Sequence, residues 1–236
     1  MCGIAGIIGE ENKQLIQRMC DVIEHRGPDD SGFFIDTGIS LGMRRLSIID
    51  VSGGKQPIHN EDETVWVMYN GELYNYLELK QELEKLGHKF YTKCDTEIFV
   101  HAYEQYGDMF VEKLRGMFGF AIWDTKNKKL ILGRDRLGKK PLYYTISDGK
   151  LIFGSEIKSI LLHPDVKRSV NSRALHHFLS LQYVPGPDTM FEGINKLQSG
   201  NILVYQNGTI ETKQYWSVKF EKYSSRNLFL SSFFKF

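Results

Sequence analysis

Short apolar runs rich in β-branched and aromatic residues occur on both sides of a helical stretch near the middle of the chain, and this alternation limits the fold more than any other feature. Residues 2–8, Ser31 to Ile35, Ile39 to Leu41, Leu46 to Ile49 and Val65 to Tyr69 read as strands broken by glycine turns. Strand patterns return at Phe118 to Trp123, Lys129 to Gly133, Pro141 to Ile146 and Leu151 to Gly154. Turn dipeptides such as Asp148-Gly149 favour hairpins between them. A last hairpin is expected over Asn201 to Tyr205 and Thr209 to Tyr215, around Asn207-Gly208. Helices are expected at about 11–24, 76–86, from Asp95 or Thr96 to Gly107, in a short piece carrying Val111, Leu114 and Met117, and at 171–180. Asn75 and Glu78 match a capping box for the second of these, and Gly87 supplies its stop. A few helices set among many antiparallel strands predict an α+β fold with layered packing, not alternating βα units.

Composition excludes several function classes. Lys and Arg total 30 against 29 acidic residues, so charge makes no case for nucleic-acid binding. No apolar stretch approaches membrane-spanning length, and the first residues do not form a secretion signal. Three distant cysteines (2, 20 and 94) suit a reducing cytoplasm. The 7 histidines show no metal-ligand spacing, and no metal site is expected. Neither a dinucleotide fingerprint nor a phosphate-binding loop is present, which leaves no cofactor to assign.

Candidate chemistry begins at Met1-Cys2-Gly3-Ile4-Ala5-Gly6. Removal of Met1 would put a thiol and a free α-amine on one residue. Their reference pKa values are about 8.5 and about 7.7–8.0, so the pair offers a nucleophile and a usable base near neutrality. A chance cysteine at position 2 is the plain alternative. Asn70-Gly71-Glu72 follows a strand and precedes a helix. An Asn amide and a neighbouring backbone N–H can stabilise an oxyanion, while Asn-Gly is equally a common tight turn. Arg45, at the head of Arg45-Leu46-Ser47-Ile48-Ile49, could grip a carboxylate or sit on the surface. Asp95 could pair with an ammonium group or cap its helix. The loop His25-Arg26-Gly27-Pro28-Asp29 either covers a pocket or ends the first helix. Cys20 falls among apolar helix residues and reads as inert core.

Taken in order, these segments resemble the glutamine amidotransferase domain of glutamine-hydrolysing asparagine synthetases, the class II amidotransferases among the N-terminal-nucleophile hydrolases. The resemblance also takes in Gln56-Pro57, Asp95-Thr96-Glu97, Gly116-Met117-Phe118, Gly133-Arg134-Asp135, Gly154-Ser155-Glu156 and Tyr183-Val184-Pro185-Gly186-Pro187, and ends near Tyr215-Trp216. It implies a four-layer αββα sandwich, two antiparallel sheets between helical layers, over residues 1–216, with 217–236 a divergent apolar tail. It assigns Cys2 as nucleophile and Asn70 and Gly71 as the oxyanion hole. Arg45 would bind the substrate α-carboxylate, with the backbone of Leu46, Ser47, Ile48 and Ile49 lining the same pocket, and Glu72 and Asp95 would hold the α-amino group.

The implied reaction is hydrolysis of L-glutamine to glutamate and ammonia through a γ-glutamyl thioester. The implied ammonia acceptor is a synthetase domain or subunit, to which ATP and Mg2+ belong. Its Ser-Gly-Gly-x-Asp-Ser loop is absent from this sequence. Three departures from the family stand out: Cys94 for serine, Leu197-Gln198-Ser199-Gly200 for Leu-Pro-Pro-Gly, and, the largest, the missing synthetase region, where this sequence has the apolar tail instead. Alternative readings are a non-catalytic glutamine-binding or regulatory subunit and a truncated remnant of a longer synthetase. A homodimer is compatible with the reading, and cytoplasmic residence is expected.

Overall fold

The computed structural model describes residues 1–48, 50 and 53–220. Among the described residues, twelve strands form two antiparallel six-stranded sheets. The first sheet contains β1 (Gly3–Ile8), β2 (Asp30–Asp36), β3 (Ile39–Arg45), β8 (Tyr143–Ser147), β9 (Lys150–Gly154) and β10 (Asn195–Lys196), in the order β10-β8-β9-β1-β3-β2. The second contains β4 (Ile58–His59), β5 (Val65–Leu73), β6 (Gly116–Asp124), β7 (Lys129–Arg134), β11 (Asn201–Gln206) and β12 (Thr209–Gln214), in the order β12-β11-β7-β6-β5-β4. The helices are α1 (Lys13–Asp21), α2 (Tyr76–Lys85), α3 (Ile98–Tyr106), α4 (Ile157–Ile160) and α5 (Ser172–Leu181). Among the described residues, no helix is long and apolar enough to cross a membrane.

The unbroken apolar character of β1 follows from its place between β3 and β9, with all of its residues buried. Ile4 and Ile8 enter the core between the sheets with Leu41, Met43, Met68, Leu132 and Phe153. Ala5 and Ile7 face the other way and pack with Leu15, Ile16, Met19 and Cys20 of α1 and Ile160 of α4. The alternation places one helical layer on the first sheet. On the far side of the second sheet, Val67 and Tyr69 of β5 and Phe118, Phe120 and Ile122 of β6 pack against α3. Phe99 of α3 is the hub of this third core, with ring centroids 4.6 Å from Tyr69, 5.0 Å from Phe120 and 5.8 Å from Phe118. The result is helix, sheet, sheet, helix. Gly6 is obligatory in the middle layer: a Cβ there would strike the Phe153 ring and come within 2.7 Å of Leu41 Cδ2.

Local structure departs from the sequence reading at four places. Leu46 to Ile48 are not a strand; β3 ends at Arg45, so that arginine closes a strand instead of opening one. The expected strand's last residue, Ile49, lies outside the described residues. The capping box at α2 does not form. Asn75 instead donates from Nδ2 to the Lys113 carbonyl (3.0 Å) and accepts from the Arg115 N–H (2.9 Å), tying the helix start to the loop before β6. The piece carrying Val111 is a 3₁₀ turn over residues 107–113, and Met117 belongs to β6.

Asn12 is the N-cap of α1, its side-chain oxygen accepting from the Leu15 N–H at 2.9 Å. Asn12→Ala is expected to lower stability by about 1 kcal/mol. A chemical denaturation curve with unchanged slope and a lower midpoint checks this; an unchanged midpoint would show the cap contributes nothing.

Candidate active site

Both sheets contribute to one pocket. Cys2 stands just ahead of β1, Arg45 is the last residue of the neighbouring β3, and Asn70, Gly71 and Glu72 lie in the second half of β5. Asp95 enters from the 3₁₀ turn over residues 95–97 that leads into α3. Leu46 and Ile48 complete the wall beyond Arg45.

The strand carrying Cys2 is clamped where it enters the sheet. The Cys2 carbonyl accepts from Arg26 Nε at 3.0 Å, and Arg26 Nη1 is paired with Glu156 at 3.0 Å. Glu156 also meets His25 at 2.8 Å. Ile4 N–H donates to Ser155 Oγ (3.0 Å), while Ser155 N–H donates to the Ile4 carbonyl (2.8 Å). The His25 loop therefore neither covers the pocket nor simply ends a helix; its arginine fixes the backbone of the candidate nucleophile. The Cys2 Sγ accepts from the Leu46 N–H at 3.4 Å. Burial pushes the thiol pKa up, against the opposing pull of the Leu46 N–H and the Arg45 charge.

Asn70 is 1% exposed and pairs across the ladder with Gly119, while Gly71 pairs with Phe118. The dipeptide is a stretch of regular strand, which removes the turn reading. Asn70 Nδ2 is buried and has no hydrogen-bond partner among the described residues. An amide N–H2 left unsatisfied in this way costs about 1–3 kcal/mol, and Asn70 is one of the residues lining the pocket that also holds Cys2.

Charges of both signs face the pocket. Arg45 is buried and donates from Nη2 to the Asp50 carbonyl at 2.9 Å. Gly54 lets that loop close over the guanidinium, since a Cβ there would approach Arg45 Nη2 to 2.7 Å. Asp95 does not cap α3. Its Oδ2 accepts from Leu73 N–H (2.9 Å) and Tyr69 Oη (3.1 Å), which holds the carboxylate toward β5. Burial raises the Asp95 pKa, and these two donors partly offset the rise. Burial, followed by the charge of Asp95, also raises that of Glu72. Two carboxylates with a cationic arginine suit a ligand carrying both an ammonium and a carboxylate.

Gln56, Tyr69, Thr96, Met117 and Lys140 also line the pocket without having been singled out as site residues, as does Met1. Gln56 accepts the Tyr69 N–H through Oε1 (2.7 Å) and donates from Nε2 to Thr96 Oγ1 (3.4 Å), linking β5 to the Asp95 turn. Lys140 is almost fully buried, with its pKa lowered by burial and by the neighbouring Arg26. No local spacing marks Lys140 in the sequence; the β7–β8 connection brings it in. Cys94 lines the pocket as well, its thiol pushed up to about 11 by burial and the adjacent Asp95. Ser47 is not among the lining residues, and its N–H donates instead to Asp29 Oδ2 at 2.8 Å. Ile49 lies outside the described residues.

The sequence profile of the glutamine amidotransferase domain matches residues 1–216. The chain belongs to this family. Asparagine synthetase [glutamine-hydrolyzing] 1 of Bacillus subtilis is 40% identical over 230 residues, covering 94% of this chain and 36% of that relative. The putative asparagine synthetase [glutamine-hydrolyzing] 2 of Methanocaldococcus jannaschii is 37% identical over 240 residues, covering 92% of this chain and 46% of its own length. The amidotransferase chain thus spans less than half the length of either relative. The glutamine phosphoribosylpyrophosphate amidotransferase of B. subtilis, solved with ADP and GMP, superimposes with a TM-score of 0.67 at 18% identity. That match covers 91% of this chain and 49% of that one. At so low an identity the match speaks to the fold, which is the α+β sandwich of two antiparallel sheets flanked by helices.

Proposed function

We propose that this amidotransferase domain, residues 1–216, hydrolyses the side-chain amide of L-glutamine with Cys2 as nucleophile. The observation that carries the reading is the unsatisfied Nδ2 of Asn70, one of the residues lining the pocket that holds Cys2. A buried donor without an acceptor suits an oxygen that is present only when substrate reacts.

Removal of Met1 frees the Cys2 amine, which takes the thiol proton. The sulfur attacks the amide carbon, and the resulting oxyanion is held by Asn70 and Gly71. The amine returns the proton to the leaving nitrogen, ammonia departs, and a γ-glutamyl thioester remains. Water, deprotonated by the same amine, then cleaves the thioester to glutamate. Arg45 pairs with the substrate α-carboxylate, and Glu72 and Asp95 hold its ammonium, with Leu46 and Ile48 beside them. The asparagine synthetases among the relatives favour an ATP- and Mg2+-dependent synthetase region, in the same or a separate polypeptide, as ammonia acceptor in a cytoplasmic pathway to asparagine.

Glutamate release from glutamine by the purified protein, with intact mass recorded, tests the proposal. Turnover should rise with the fraction of molecules that have lost Met1. Fully processed protein that releases no glutamate, alone or with a synthetase region supplied, would refute it.

Asp95→Asn tests the ammonium site. Losing one charged partner is worth about 1.5 kcal/mol or more, so KM should rise on the order of tenfold with a smaller change in kcat. The acid limb has a defined sign. Protonating Glu72 or Asp95 removes a partner of the substrate ammonium, and both pKa values are raised. KM should therefore climb on acidification at a pH above the ordinary carboxylate range of about 4. A KM independent of both changes would exclude Asp95 from substrate binding.

A further inference from the structure

Away from the pocket, on the outer face of the second sheet's helical layer, four side chains point at one another. His101 and Glu104 project from α3, His88 from the loop after α2, and Glu61 from the turn between β4 and β5. One ligand atom from each lies within 4.8 Å of all the others. His101 Nδ1 is 3.3 Å from Glu61 Oε2 and 3.6 Å from Glu104 Oε2. His88 Nδ1 is 3.8 Å from Glu104 Oε2 and 3.7 Å from Glu61 Oε1. Four N and O ligands about 2.0–2.2 Å from a tetrahedral Zn2+ would stand roughly 3.3–3.6 Å apart. The four His–Glu separations, 3.3–3.8 Å, are near that range, so the set would need only a small contraction from its 4.8 Å limit.

Three of the four residues have their other polar atom held from behind, and Glu61 is tied through Oε1, the oxygen that also faces His88. His101 Nε2 meets Glu97 Oε1 at 3.3 Å, and His88 Nε2 meets Gln105 Oε1 at 3.2 Å. Glu104 Oε1 accepts from Asn60 Nδ2, and Glu61 Oε1 from the Lys89 N–H, both at 2.8 Å. Glu97 is itself fixed by the N–H groups of Tyr91 (2.8 Å) and Thr92 (2.7 Å). Outer partners of this kind orient metal-ligating imidazoles and carboxylates.

The deciding observation is His101. Its side chain is fully buried, and Nδ1 has no hydrogen-bond partner among the described residues although it faces two carboxylates. Without a metal the surrounding carboxylates favour the imidazolium, its pKa raised to about 9 against burial. A ring that keeps Nε2–H against Glu97 and gives up its Nδ1 proton would present a lone pair to the centre of the cluster. Two imidazoles, neutral once they ligate, and two carboxylates would match the charge and ligand preference of a first-row divalent cation.

We propose that Glu61, His88, His101 and Glu104 bind a divalent transition-metal ion, with Zn2+ the best fit, as a clip between α3 and the two loops packed on it. The four residues are scattered over more than forty positions, so no Cys/His spacing reveals them in the sequence. The clip also bears on the active site, because Glu97, which supports His101, belongs to the same 3₁₀ turn as Asp95.

The test is calorimetric titration of the metal-stripped 236-residue chain with Zn2+, in the Cys2→Ala background so that the pocket thiol at position 2 cannot compete. Co2+ absorption serves as a second readout. One saturable equivalent and a raised melting temperature are expected. His88→Gln and Glu104→Gln remove ligands that are not fully buried, so both variants should fold, and each should weaken binding at least about tenfold. His101→Gln should abolish it. No saturable equivalent, or binding that both rim variants leave intact, would overturn the proposal.

Discussion

Cys2→Ala should abolish glutamate release while leaving glutamine binding in place. The expected loss is on the order of 10⁴-fold or more, as when the nucleophile of a covalent mechanism is removed. The fold should be unaffected, because what anchors the start of β1 is backbone: the Cys2 carbonyl on Arg26 and the Ile4 peptide on Ser155. Arg45, Glu72 and Asp95 do not depend on the sulfur, so the dissociation constant for glutamine measured by calorimetry should change by less than about threefold. The pocket holds a second thiol, which sharpens the test. Cys94 is bonded to Thr96 Oγ1 (3.2 Å) and to Asp95 (3.5 Å), and its pKa is pushed up to about 11. A thiol so protonated is a poor nucleophile, and Cys94→Ser should retain most of the turnover. Activity surviving in Cys2→Ala and lost in Cys94→Ser would move the nucleophile to position 94 and overturn the mechanism.

The two Asn-Gly dipeptides show how far the sequence carries. Asn207-Gly208 forms the expected hairpin turn, with φ of 51° and 76°, between β11 and β12. Asn70-Gly71 has the same local chemistry yet runs straight through β5, because β6 supplies Gly119 and Phe118 as ladder partners across forty-odd residues. A dipeptide cannot encode that difference; the long-range pairing decides it. The layered α+β fold was legible because short apolar, β-branched runs are set apart by glycine turns and the helices carry apolar faces, as at Leu79 and Leu83 or Ile98, Phe99 and Ala102; the sandwich of two sheets came from the family resemblance. Strand ends were less so. Arg45 closes β3, a boundary set by where pairing with β2 stops. Caps failed where tertiary partners outbid the helix: Asn75 bonds the 113–115 loop and Asp95 bonds β5. Lys140 and the His101 cluster were invisible for the same reason, since each is assembled from segments that meet only in the folded chain.

Asn70→Ala separates catalysis from stability in one residue. In the resting protein Asn70 Nδ2 has no hydrogen-bond partner among the described residues, so deleting it removes an unsatisfied buried donor. Most buried asparagine substitutions destabilise by breaking bonds; this one should leave the melting temperature unchanged or slightly raised. The amide is proposed to meet its acceptor as the glutamine carbonyl becomes an oxyanion, and an interaction made in the transition state appears in kcat, not KM. Losing one such donor costs about 3 kcal/mol, so kcat should fall on the order of 10²-fold or more with KM within a few-fold of the parent. Asn70→Asp should do at least as much harm, because a carboxylate beside the oxyanion repels the charge the amide would stabilise. Steady-state kinetics with a thermal melt on the same preparations distinguishes the outcomes. A lowered melting temperature with intact kcat would make Asn70 a structural residue of β5, and the oxyanion would then need another donor from the pocket wall.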